Sequence, residues 1–150
     1  MLIRSVLVAV DGSENSDRAL DFALDLAEKF VASITILNVS ESLAMSAVPQ
    51  ESATYPSGSR AVFAKDLRAI QNEVISKYVS HARAVRPNLP VSSMLKEGEA
   101  SIEIVNAAKD GRFDVIVVGH RGASKMRERL LGSISEKVAH NAPCPVVIVK

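Results

Sequence analysis

An open, all-parallel α/β sheet of five strands in the order 3-2-1-4-5, with helices on both faces, is the fold class that this sequence predicts. Three observations predict it. Short apolar runs rich in β-branched residues alternate with segments of helical period along the chain. Two of those runs, SVLVAV at 5–10 and DVIVVG at 114–119, are almost continuously apolar, as strands covered on both faces are. The length, 150 residues, suits one domain spanning 1–150 that buries roughly two-thirds of its unfolded surface. Right-handed crossovers leave few topologies, and this strand order sets the two continuous runs side by side at the centre.

Each element follows from local pattern. After the strand at 5–10 comes DGS, then a helix over 14–30 with Ala19, Leu20, Ala23, Leu24, Ala27 and Val31 on one face and Ser13 or Asn15 as cap. SITILNV, ending at Val39, is the second strand. Residues 40–60 hold six serines, two prolines and a glycine without sustained period, so they predict a long loop able to act as a lid. A helix over about 60–85 carries the stripe Phe63, Leu67, Ile70, Val74 and Tyr78, and Pro87 and Pro90 end it. VSSMLKEG alternates partly, with Val91, Ser93 and Leu95 on one side, as an edge strand does. A short helix over about 100–109 stops at Asp110-Gly111. After the fourth strand and a second loop, a helix over about 133–140 leads to PCPVVIVK. In the predicted order VVIV lies at the sheet edge yet reads as fully buried. Either it pairs with another chain, giving a homodimer, or helices cover its faces and only its backbone rim is bare.

Composition narrows the function classes. The chain is 47% hydrophobic and 23% charged with a net charge of +1, so it has no electrostatic footprint for nucleic acid. No apolar run reaches the ~18 residues of a membrane span. The opening MLIRSVLVAV has neither a charged lead-in nor a small-residue cleavage site and reads as strand. A single cysteine, Cys144, excludes an internal disulfide and fits a reducing, cytoplasmic location.

The chemistry concentrates in GHRGASKMRERLLGS, 119–133, which holds three of the seven glycines. Ligands of open α/β sheets sit beyond the carboxyl ends of the strands, where strand order reverses. Here that crevice lies between strands one and four, so Asp11 and Gly119 converge on it. Gly119 and Gly122 admit close approach and positive φ. Ser133 and Glu136 have capping-box spacing, which makes Ser133 the expected N-cap. A helix start offers free N–H groups and partial positive charge to a phosphate, with the Ser133 and Ser135 hydroxyls as added donors. Asp11 suits a ribose hydroxyl or a metal ion. Simpler roles stand beside these: the glycines as turn formers, Ser133 as a cap, Asp11 as a turn acceptor, Arg127 and Arg129 as a solvated face.

The spacing Gly119-x2-Gly122-x9-Gly132-Ser133 is similar to the nucleotide-binding signature of the ATP-binding universal stress proteins. The resemblance extends to VLVAVDGSENSDRAL at the start, NV at 38–39, EG at 97–98 and APCPVVIVK at the end. It implies the adenine nucleotide alpha hydrolase-like fold and bound ATP, with or without Mg²⁺ or Mn²⁺. The backbone around Ala9 and Val39 would contact adenine, and Asp11 the ribose. Val118, Gly119, Arg121 and Gly122 would line the loop, and Gly132, Ser133, Ile134 and Ser135 would hold phosphates. His120 stands where a small residue such as serine is common. The resemblance also implies a homodimer through the last strand.

Other chemistries lack their residues. There is no GxxxxGK[ST], and DGSENS lacks the paired glycines of an SGGxDS pyrophosphatase loop. The third strand ends in KEG, where a phosphorylatable aspartate would mark a receiver domain. His81, His120 and His140 lack metal-ligand spacing, and Cys144, between prolines, reads as inert packing. No general base or metal-binding carboxylate pair is evident, which predicts slow hydrolysis or none. The expectation is a dimeric, nucleotide-dependent sensor or regulator in the stress response. The alternatives are a metal-dependent nucleotide hydrolase or transferase and a nucleotide-free interaction module. The protein partner is not identified by the sequence.

Overall fold

The computed structural model describes residues 1–41, 57–121 and 131–150, with side chains throughout these except at 57–64. The order is β1 (Ser5–Ala9), α1 (Glu14–Phe30), β2 (Ser33–Ser40), α2 (Ser57–Val85), β3 (Val91–Glu97), α3 (Ala100–Asp110), β4 (Val115–Gly119), α4 (Ser133–Asn141) and β5 (Val146–Val149). The sheet runs β3-β2-β1-β4-β5 with every pair parallel, as the sequence predicts. No helix among the described residues is long and apolar enough to cross a membrane.

The period of two along each strand divides the core into two layers. Val6 and Val8 of β1, Ile34 and Ile36 of β2, and Val115 and Val117 of β4 pack with α1 and α2 through Leu20, Leu24, Ile75 and Tyr78. Leu7, Leu37, Ile116 and Val118 face the other way, against Ile104 of α3 and Val138 of α4. Val6, Leu7 and Val8 are 0% exposed, so β1 has no polar face.

Several boundaries and faces differ from expectation. Val10 and Asp114 lie just outside their strands, and Ser40 and residues 57–60 belong to regular elements. The expected lid over 40–60 falls for the most part on 42–56, outside the described residues. Val31 is 92% exposed, not core. It is the α1 C-cap, left-handed at φ 55, and its N–H donates back to Ala27 and Glu28, so its side chain turns to solvent. In α2 the buried face is Gln71, Ile75, Tyr78 and Ala82, and Ile70 is 58% exposed. Of the predicted stripe, Tyr78 is buried and Val74 packs against the core, whereas Ile70 gives way to Gln71, whose amide donates to the Lys96 carbonyl of β3. Phe63 lies among the side chains outside the description. All four residues of β5 are half-buried, where its continuous pattern predicts full burial, since an edge strand keeps one rim open.

At the amino end of the sheet, Asp114 ties β1 to β4. Its Oδ2 accepts from the N–H groups of Arg4 (2.8 Å) and Ser5 (3.0 Å) and from the Ser5 hydroxyl (3.1 Å). The Arg4 N–H bond, with help from Ser5, holds this carboxyl below the usual aspartate range. Its stabilisation is therefore complete above the ordinary aspartate pKa, about 3.9, and fades as pH falls through the lower native value. Asp114→Asn should lower stability at neutral pH and flatten the loss of stability on acidification. Denaturant unfolding from neutral pH to below pH 4 checks both effects. In the core, Leu7→Ala should cost about 2–5 kcal/mol in the same assay.

Candidate functional site

Alternation also selects which side chains reach the carboxyl-end crevice. Ala9 and Val39 continue the layer of Leu7 and Leu37, with Val118 beside them on β4. The crevice is lined by Ala9, Asp11, Val39, Val118, Gly119, Arg121, Ile134 and Ser135, all anticipated, and by Val10, Ser16, Leu37, Ala100 and Ile104, which were not. Gly132 and Ser133 do not line it; they begin α4, whose next two residues do. Gly122 lies outside the described residues. Between the described walls the crevice has a volume of about 60 Å³.

The β1–α1 turn is rigidly braced. Asp11 Oδ1 accepts from the Ser13 N–H at 3.0 Å and from the Ser16 hydroxyl at 2.6 Å, and the Asp11 N–H donates to Ser16 Oγ at 2.9 Å. Ser13 is the α1 N-cap and accepts from the Ser16 N–H at 3.2 Å. The choice between Ser13 and Asn15 is thus decided for Ser13. Asp11 fulfils its simpler role as a turn acceptor and still stands at the crevice wall. Ser16 is buried for this reason. A serine in the first helical turn, three residues past a cap, carries no sequence signal that it will be.

The β4–α4 connection is shaped by steric closeness. A Cβ on Gly119 would lie 2.9–3.0 Å from the Cβ, C and O atoms of Asn15, so a glycine lets α1 seat against β4. Its φ is not positive, contrary to the expectation, and close approach is the sufficient reason. Gly132 is held by its own N–H to the His120 carbonyl, 2.9 Å, and a Cβ there would lie 3.0 Å from that same oxygen. Ser135 is buried, and its hydroxyl donates to the Gly119 carbonyl at 2.7 Å. It therefore closes the loop's two ends together and is not a loose phosphate donor.

The N-cap of α4 is Gly132, not Ser133, and no side chain caps it. Ser133 is the first helical residue, and the capping box with Glu136 does not form. The consequence favours a ligand. The first-turn N–H groups at Ser133, Ile134 and Ser135 precede the first i→i−4 bond, from Glu136 to Gly132, and carry the positive end of the helix dipole.

A larger cavity, about 470 Å³, lies between α1 and α2, with Asp17, Asp21, Tyr78 and His81 in its lining. Its polar groups satisfy one another: the Tyr78 hydroxyl donates to Asp17 at 2.8 Å, and His81 meets Asp21 at 3.1 Å. Burial, then the Asp17 bond, raises the Tyr78 pKa well above the usual phenol value. Burial likewise pushes the Cys144 thiol up, consistent with inert packing. Among the described residues no group of three His, Cys, Asp or Glu side chains could hold a metal ion.

Ser135→Ala should remove the clamp on Gly119. Stability should fall by about 1 kcal/mol in urea unfolding. Amide exchange should quicken at Gly132 more than in β1.

Comparison with known proteins agrees with this architecture. The sequence matches the universal stress protein family over residues 2–150, and the chain belongs to that family. It is 34% identical over 154 residues to the universal stress protein YxiE of Bacillus subtilis (strain 168), covering 99% of this chain and 100% of YxiE. Its fold is similar to that of universal stress protein UspA from Lactobacillus plantarum, with a TM-score of 0.80 at 22% identity over 100% of this chain and 99% of that one. The universal stress protein from Archaeoglobus fulgidus in complex with dAMP aligns with a TM-score of 0.66 at 22% identity, with 100% of each chain covered.

Proposed function

We propose that this member of the universal stress protein family binds an adenine nucleotide, ATP in its working state, in the crevice between the ends of β1 and β4. The observation that carries the reading is the meeting of Asp11, Gly119 and an α4 amino end without a side-chain cap at one crevice. The dAMP complex of the Archaeoglobus fulgidus protein supports it by analogy of fold.

Residue roles follow the chemistry of the walls. The slot formed by Ala9, Leu37, Val39, Val118 and Ile104 is apolar and suits a base, with backbone groups at Ala9 and Val39 to recognise its edge. Asp11 takes the ribose hydroxyls. Gly119 and Arg121 line the loop side, and Gly122, outside the described residues, is assigned to the same loop. The backbone at Gly132, Ser133, Ile134 and Ser135 receives the phosphates, which suit a helix start. A Mg²⁺ or Mn²⁺ ion bound with ATP would be held chiefly by the phosphates, since the described lining contributes one carboxylate, Asp11. That carboxylate already accepts from Ser13 and Ser16 and is poorly placed as a general base, so turnover is slow at most.

The protein acts, in this reading, as a cytoplasmic nucleotide-dependent regulator in the stress response and as a homodimer. The edge strand β5, half-buried along its length, is the pairing element.

Calorimetric titration with ATP, ADP and AMP, with and without Mg²⁺, tests the binding. Saturable heat is expected, and Asp11→Ala should weaken affinity about tenfold or more, the worth of a charge-assisted hydrogen bond. Absence of heat at millimolar nucleotide would end the reading, and fast metal-dependent release of product would replace it with an enzyme. Light scattering should give twice the chain mass; a monomer at high concentration removes the dimer.

A further inference from the structure

Asn38 is a buried polar side chain on an otherwise apolar strand face. It is 8% exposed, in register with Ile34 and Ile36, and so lies on the α1/α2 side of the sheet, away from the crevice reached by Leu37 and Val39. Its Nδ2 donates 2.8 Å to the carbonyl of Val10. Val10 follows the last residue of β1, and its own N–H donates 2.9 Å to the Leu37 carbonyl. Both polar groups of the Val10 backbone are thus held by β2 just where the chain leaves the sheet and enters the Asp11 turn. From behind, Gln71 of α2 donates to the Lys96 carbonyl at 3.2 Å and, more weakly, to that of Asn38 at 3.5 Å, seating this end of β2.

A plain strand would place an aliphatic residue here. The Val10 carbonyl would then be buried without that partner, a costly state that the chain would relieve by moving. Neighbouring Ala9 and Asp11 would move with it.

We infer that Asn38 is a positioning residue for the nucleotide site: acting through the Val10 carbonyl, it sets the backbone from Ala9 to Ser13 in the conformation that receives base and ribose. This inference rests on the nucleotide reading above and adds a residue that does not touch the ligand. Preorganisation of this kind appears as affinity, because a turn already in place costs no ordering on binding.

Two variants test it, Asn38→Val, which suits a strand, and Asn38→Leu, which keeps the shape but removes the donor. Each is studied well below its own thermal midpoint, so that all molecules are folded, and either alone suffices if the other does not fold. AMP affinity by calorimetry should fall about tenfold, the equivalent of one hydrogen bond. In the free protein, amide exchange at Asp11 and Ser13 should accelerate beyond any change at Ile116 in β4. Unchanged AMP affinity in folded variants overturns the inference. If the unaltered protein itself fails to bind AMP, the nucleotide reading falls, and the exchange contrast decides separately. Acceleration confined to Asp11 and Ser13 sustains the role of Asn38 in holding the turn; uniform acceleration overturns it.

Discussion

Strand β1 is hydrogen-bonded on both edges and covered on both faces, and the rest of the molecule is arranged around that constraint. Its central residues have no exposure at all. Every polar group in the backbone of those central residues must therefore find a partner in β2 or β4. Such a strand can only leave the sheet where those partners stop. It does so at Val10, between two neighbours whose own chains depart in opposite directions. The β2 connection crosses toward β3, and the β4 connection toward β5. A gap at the carboxyl end is the geometric result.

What fills the lip of that gap is set by short-range chemistry. The first connection is tightened by Asp11, Ser13 and Ser16 into a braced turn, and α1 begins with its donors partly satisfied by Ser13. The second connection is drawn in by the Ser135 hydroxyl and by the Gly132 N–H, both reaching carbonyls at the end of β4. It delivers α4 with a glycine at its cap, so among the described residues no side chain caps that end. One helix start carries a side-chain cap and the other, among the described residues, does not, and both stand at the same crevice. In the proposed reading this asymmetry would make the site directional, with phosphates toward α4 and sugar toward α1.

Much of this is legible in the sequence. The continuous apolar runs at 5–10 and 114–119 mark β1 and β4 because only a strand buried on both faces needs them. The crevice followed from their adjacency, and with it Asp11 and Gly119. Less legible were features whose cause lies in another element. Asn38 and Ser16 are buried because Val10 and Asp11 need them, and neither partner is a sequence neighbour on the same face. The sign for Asn38 was available, a polar residue at inward parity in SITILNV, but parity alone does not supply its partner. Val31 continued the α1 stripe by period and left it by conformation, at a left-handed cap. In α2 the stripe holds at Val74 and Tyr78 but not at Ile70, where Gln71 turns in to bond carbonyls of β2 and β3. Ser133 was misplaced by one residue because Gly132 can occupy the cap position without a side chain.

The proposed site depends on the amino end of α4 as its phosphate seat. Amide shifts of Ser133, Ile134 and Ser135, followed by NMR while AMP or adenosine is added, test that most directly. Large displacement by AMP and little by adenosine is the predicted pattern. Equal response to both ligands, or perturbation confined to the cavity between α1 and α2, would contradict it.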